Sequence, residues 1–213
     1  MSRNPMRKLK ATGAFLAALL VASCGPLISF GDDGPADNIY TLRYAGTVKV
    51  GSPAGPIIYV DSPQMAEGLD GHSVSVRLDG NRRTTLAGSS WSAHLSDLVR
   101  DYVTLALSVS SDANLVGGGA LDIKAGCRLG IKVWAMEYVP GATKSDDKVE
   151  LSLQFSLVRL ADSKLLSHPT FSKTVAVSTP DGNGIIAAFE TAMAAAARDY
   201  GRWFGAESKA CAL

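Results

Sequence analysis

Val149-Glu150-Leu151-Ser152-Leu153-Gln154-Phe155-Ser156-Leu157 alternates apolar and polar residues without a break. Successive side chains of a strand point to opposite faces. This spacing therefore predicts a strand with Val149, Leu151, Leu153, Phe155 and Leu157 against a core and Glu150, Ser152, Gln154 and Ser156 toward water. Ahead of it, Arg128 to Val139 is a second long strand. Ile131, Val133 and Ala135 fall on one side, and Trp134, Met136 and Tyr138 on the other, which predicts that both faces are covered. Behind it, Asp162-Ser163 turns the chain and Phe171 to Ser178 returns. Three strands with short connections predict an antiparallel meander.

Working outward, the meander is preceded and followed by helical spacing. Trp91, Leu95, Leu98, Val99, Tyr102 and Ala106 fall on one stripe of a helix from Trp91 to about Val109, with Ser89-Ser90 as its cap. Ile185, Phe189, Met193, Ala196, Tyr200 and Trp203 form the stripe of a second helix, from about Gly184 to Phe204, capped within Thr179–Asn183. Trp91, Trp134 and Trp203 are expected in the core. Ser73–Leu78, the turn Asp79-Gly80-Asn81 and Arg82–Leu86 read as a hairpin, with Arg82-Arg83 on a solvated face. Short strands are expected at Ile39–Leu42 (continuing through Val48–Val50), Ile57–Val60 and Asn114–Val116. The fold class is α/β in the α+β sense: one domain, a mixed and largely antiparallel sheet, and two amphipathic helices.

The amino terminus reads differently. Arg3, Arg7, Lys8 and Lys10 precede an apolar run from Ala11 to Ala22, and the first acidic residue is Asp32. A basic segment, a short apolar segment and small residues at its end describe a secretory signal. The run falls short of the roughly 20 apolar residues a comfortable span needs. Leu20-Val21-Ala22-Ser23-Cys24 closes it as a lipobox, so the Cys24 thiol is the expected acylation site. Two or three chains there anchor a protein stably, since each buried methylene contributes about 0.8 kcal/mol. The expected organisation is a signal at residues 1–23, a tether at 24–38 rich in glycine, proline and aspartate, a domain at 39–205 and a tail at 206–213.

Without residues 1–23 the chain has 190 residues, 17 basic and 20 acidic groups, and a net charge of −3. That excludes the basic face a nucleic-acid partner needs. Cys127 and Cys211 remain after Cys24. In an oxidising periplasm they either pair or stay as two buried or free thiols. His72, His94 and His168 stand far apart with no ligand spacing, so no metal site, cofactor or catalytic base is expected. Each of the three has a structural role instead. Gly117-Gly118-Gly119 has neither the spacing nor the following helix of a phosphate cradle and reads as a loop. No nucleophile–base motif is present, which argues against an enzyme.

Several segments together carry a family resemblance. They are Val60-Asp61-Ser62-Pro63, Gly68-Leu69-Asp70-Gly71, the valine-rich strand after it, and Ala87-Gly88-Ser89-Ser90-Trp91-Ser92 before an amphipathic helix. The Tyr40-Thr41-Leu42 opening, the strand ending Glu137-Tyr138 and an alanine-rich last helix complete the pattern. In these the chain resembles the ABC-type transport auxiliary lipoproteins, the Pqi-type accessory proteins of MCE-type lipid transporters. It departs from their pattern at Ser90, where the family more often has arginine. The resemblance implies an anticodon-binding-like or TolB amino-terminal-like domain. It also implies a non-catalytic role beside an MCE-domain periplasmic protein and its ABC transporter, which move phospholipids or other hydrophobic molecules. Homo-oligomers on a symmetric partner fit that setting. Gly25 rather than aspartate after Cys24 points to the periplasmic face of the outer membrane. The alternative is a stand-alone periplasmic carrier that encloses an acyl chain, which needs an apolar cavity of some hundreds of Å³.

Overall fold

The computed structural model describes residues 37–47, 49, 51–118 and 123–212. The expected signal, Cys24, nearly all of the tether, Val48, Val50 and Gly119 lie outside the described residues. In chain order the elements are β1 (Asn38–Tyr40), β2 (Ile57–Val60), β3 (Gln64–Met65), β4 (Ser73–Leu78), β5 (Arg82–Trp91), α1 (Leu95–Ser110), β6 (Asn114–Val116), β7 (Cys127–Val139), β8 (Lys148–Arg159), β9 (Lys164–Ser167), β10 (Thr170–Ala176) and α2 (Gly182–Glu207). Short 3-10 turns cover Lys144–Asp146 and Ser208–Cys211. No helix among the described residues is long and apolar enough to cross a membrane.

The strands form one mixed sheet. Its spine is the antiparallel β7–β8 ladder, which runs from Cys127 opposite Arg159 to Val139 opposite Lys148. On one side β8 pairs with β9 and then β10, the chain bending between them at His168-Pro169. On the other side β7 pairs in parallel with β2, β3 and β4 in turn along its length. The hairpin β4–β5 and the parallel strand β1 extend that side, and β6 pairs with β2. The expected mixed sheet with two helices is the observed one.

Every apolar residue of the Val149–Leu157 alternation is buried, and every polar residue between them is half-buried. The buried face meets α2 through Ile185, Phe189, Met193, Tyr200 and Phe204, and α1 packs beside α2. Phe155, Phe171, Tyr200 and Trp203 form an aromatic cluster with ring centroids 5.2–6.2 Å apart. Full burial of one such side chain contributes about 1.5–3 kcal/mol. Asp181 caps α2, its side chain accepting a hydrogen bond from Gly184 N at 2.8 Å.

Two expectations fail here for a physical reason. Trp134 was expected in the core and both faces of its strand were expected to be covered. Instead a β-bulge between Val133 and Ala135 inserts Trp134 as an extra residue. The alternation therefore flips partway along β7. Leu129, Ile131 and Val133 point to the helices before the bulge, and Met136 and Tyr138 after it. Trp134 is left 52% exposed on the opposite face, which carries no helix among the described residues.

Helix α1 also begins later than its apolar stripe predicts. Ser89, Ser90 and Trp91 belong to β5, where they pair with Asn38, Ile39 and Tyr40. Gly88, at φ +67, lets β5 make the irregular step that carries its register from Thr85 opposite Ser75 to Ser90 opposite Ser73. Trp91 is buried as expected, but from a strand. The start of α1 is capped from outside instead: Leu95 N donates to Gly71 O and Ser96 N to Asp70 Oδ1.

Residues expected to form a tail continue α2 and end in the 3-10 turn, where Cys211 is buried. Its Sγ is joined to Cys127 Sγ at 2.04 Å, with the Cα atoms 5.3 Å apart. The two backbones come so close that a Cβ on Gly126 would lie 1.9 Å from Cys211 O, so only glycine fits there.

The β7–β8 connection is held by Asp147. Tyr138 OH donates to Asp147 Oδ2 at 2.6 Å and Gly141 N to Oδ1 at 2.8 Å. These bonds, the tyrosine's first, hold the Asp147 carboxyl below the usual carboxylate range. Burial, then the same bond, pushes Tyr138 up to about 12. Because the folded carboxyl is depressed, its stabilisation is present above the unfolded pKa of about 3.9 and is lost as pH falls through the folded value. Asp147→Asn is therefore expected to flatten the loss of stability as pH falls below about 4, measured by denaturant unfolding at each pH. An unchanged slope would mean that Asp147 titrates normally.

Candidate functional site

The face of the sheet turned away from the helices carries a connected set of ion pairs. The same alternation that buries Val74 and Val76 turns Ser75 and Arg77 outward, and the bulge in β7 turns Glu137 outward between Met136 and Tyr138. Arg83 then reaches Glu137 with Nε at 2.8 Å and Nη2 at 2.7 Å, while Arg77 Nη1 lies 3.8 Å from its other oxygen. Glu137 is 2% exposed, so its charge is matched rather than solvated. Arg77 also bonds Glu150, as does Lys148 at 3.0 Å. Burial works to raise the Glu150 carboxyl, but the bonds from Lys148 and Arg77 outweigh it and hold it low. Arg83 is thus not the freely solvated residue its hairpin position suggests. Its Nη1 also donates to Glu67 O and pins the Glu67–Asp70 loop over the sheet.

Beneath that loop lies a recess of ≈ 210 Å³ lined by Asp70, Ser73, Ser75, Arg83, Thr84 and Thr85. A second, wider cleft of ≈ 370 Å³ opens beside α1, between Val60 and Val116 on one side and Arg100, Asp101, Thr104 and Leu105 on the other. Arg100 is already paired with Asp97 at 3.1 Å and Asp101 at 3.4 Å. An enclosed acyl chain wants uncharged walls, and this cleft is a surface feature with ions at its mouth.

The three histidines do not meet as a catalytic set. His94 is the N-cap of α1, and its ring packs edge-on against His72 with centroids 4.9 Å apart. His72 Nδ1–H donates to Trp91 O at 3.2 Å. His168 sits at the bend between β9 and β10, bonded to Ser156 at 2.9 Å. Each ties one segment to another. Among the described residues no group of His, Cys, Asp and Glu side chains is placed to hold a metal ion. Sequence reasoning missed the burial of Glu137, its clamp on Arg83 and the pairing of the two histidines, which depend on contacts 54 and 22 positions apart in the chain.

A family model described as ABC-type transport auxiliary lipoprotein component matches residues 40–200. No curated protein matches the chain. Among solved structures, the chain is similar to a crystal structure of a Xanthomonas campestris protein of the DUF330 family. That match has TM-score 0.67 and 22% identity over 81% of this chain and 97% of the other. It is also similar to an uncharacterized protein (TM-score 0.63, 12% identity, 79% and 99% covered). A hypothetical protein from Chlamydia trachomatis matches at TM-score 0.50, with 7% identity and 75% and 100% covered. At these identities the likeness is one of fold.

Proposed function

Because this chain belongs to the ABC-type transport auxiliary lipoprotein component family, we propose that it is the membrane-anchored, non-catalytic auxiliary subunit of an MCE-type ABC system moving phospholipids or other hydrophobic molecules. The observation that carries this reading is the family match itself, which spans residues 40–200 and so covers nearly all of the sheet and both helices. The family is one of transport auxiliary lipoproteins, not of enzymes. Acyl chains on Cys24 hold the domain at the periplasmic face of the outer membrane, and the glycine- and proline-rich stretch after it sets how far the domain reaches. Confinement raises its effective concentration beside a membrane-bound partner without any new contact.

Affinity capture of the native lipoprotein from detergent-solubilised envelopes tests this. The expected result is co-purification of an ABC permease, its ATPase and an MCE-domain protein, with altered envelope lipid distribution when the gene is deleted. Capture of none of these, with lipid distribution unchanged, would contradict it. Native mass spectrometry of the same sample separates the carrier alternative, which requires one bound lipid beyond the anchor.

A further inference from the structure

From the polar recess and the aromatic beside it we infer that the helix-free sheet face binds an uncharged glycan. One sugar ring sits under the Glu67–Asp70 loop and a later ring of the same chain stacks on Trp134. This does not depend on the transport role.

The first observation is an unmet hydrogen-bonding group. Ser75 is 5% exposed, lines the recess, and its hydroxyl finds no partner among the described residues. Buried hydroxyls are satisfied in native structures, by protein, water or ligand. The recess has room for about seven water molecules at ~30 Å³ each, a space that a single sugar ring fills. Around Ser75 the lining alternates acceptors and donors. Asp70 accepts from Gly71 N and Ser96 N through Oδ1, with His94 Nδ1 3.9 Å from the same oxygen. Arg83 spends Nε and Nη2 on Glu137 and Nη1 on Glu67 O, which leaves one hydrogen on each terminal nitrogen. Ser73, Thr84 and Thr85 add hydroxyls.

Charge then selects the ligand. Arg77, Arg83, Lys132 and Lys148 share the face with Asp70, Glu137 and Glu150, a net of one positive charge, and each cation is already bonded within the protein: the arginines and Lys148 to Glu137 and Glu150, Lys132 to Met65 O. A nearly balanced surface whose charges are already paired gives little advantage to a free anion or cation. Neutral hydroxyl groups, each both donor and acceptor, match it. The second observation is Trp134, on the same face three residues along β7 from Glu137. It is half exposed yet held, with Nε1 donating to Gln154 Oε1 at 3.1 Å and the Lys132 ammonium 5.1 Å from the ring centroid. An aromatic face, electron-rich at its centre, takes the electropositive C–H groups of a sugar ring.

The test uses the full-length lipoprotein in a detergent without a sugar headgroup. It is titrated separately with the tetramer of N-acetylglucosamine and with maltotetraose, by calorimetry and tryptophan fluorescence. Binding of one of them at millimolar or lower concentration is expected, the first indicating a wall-type glycan and the second a glucan. Ser75→Val and Trp134→Ala should each weaken that binding at least tenfold while remaining folded, as a single cooperative unfolding transition shows. Trp134→Ala, a surface change, tests the inference even if Ser75→Val folds poorly. No binding of either sugar, meaning a recess that holds only water, would overturn it. Wild-type affinity in Trp134→Ala would overturn it as well.

Discussion

Opening the Cys127–Cys211 bridge is expected to cost about 4–5 kcal/mol of unfolding free energy, because it closes a loop of 84 residues in the unfolded chain. The bridge ties the first residue of β7, at the centre of the sheet, to the turn that follows α2. It therefore joins the two layers covalently near the end where Trp203 Nε1 of α2 also donates to Ser167 Oγ of β9 at 2.9 Å. The double variant Cys127→Ala with Cys211→Ala should show the loss in guanidinium unfolding, and reductant should leave the variant unaffected while lowering the wild-type midpoint. The protein taken from its native compartment should carry no free thiol at either position. Two reactive thiols after denaturation, or a variant as stable as the wild type, would contradict the pairing.

The second large effect is expected at Phe155. It is fully buried in the middle of β8 and touches Phe171, Tyr200 and Trp203, so it joins strand, neighbouring strand and helix. Phe155→Ala should destabilise by about 3–5 kcal/mol, the usual range for a buried aromatic truncated where the surroundings cannot collapse. Trp134→Ala, a larger truncation on the neighbouring strand, should change stability by no more than about 1 kcal/mol, since it loses only an exposed hydrogen bond to Gln154 and an exposed contact with Lys132. The contrast between the two residues is the sharp point. Equal losses would mean that the second sheet face is covered after all.

Those two residues also mark how far the sequence could be read. The period-2 pattern of Val149–Leu157 is unbroken, so the buried and wet sides of β8 follow directly from it. In β7 one extra residue at Trp134 reverses the pattern, and nothing in the letters signals where the insertion lies. Apolar residues on both sides of the bulge then look like two buried faces. Ser89-Ser90 before an apolar stripe is indistinguishable from a helix cap until β1 is seen to pair with that segment. The partners of Glu137, Ser75 and the Cys127–Cys211 pair are distant in the chain, and single-sequence spacing carries no signal for them. The family pattern was legible because its pieces are local: a glycine-led loop, a Gly-Ser-Ser-Trp step and two helical stripes.

The idea that a lipid on Cys24 makes this domain a fixed accessory of an envelope transporter is tested most directly by intact-mass analysis of the protein extracted from its native membranes. The predicted result is a chain that begins at Cys24 and carries the added mass of a diacylglyceryl group, with or without a third acyl chain. The matching Cys24→Ser variant should lack that mass and should leave the membrane fraction. An unacylated chain, freely soluble and beginning elsewhere, would contradict the account.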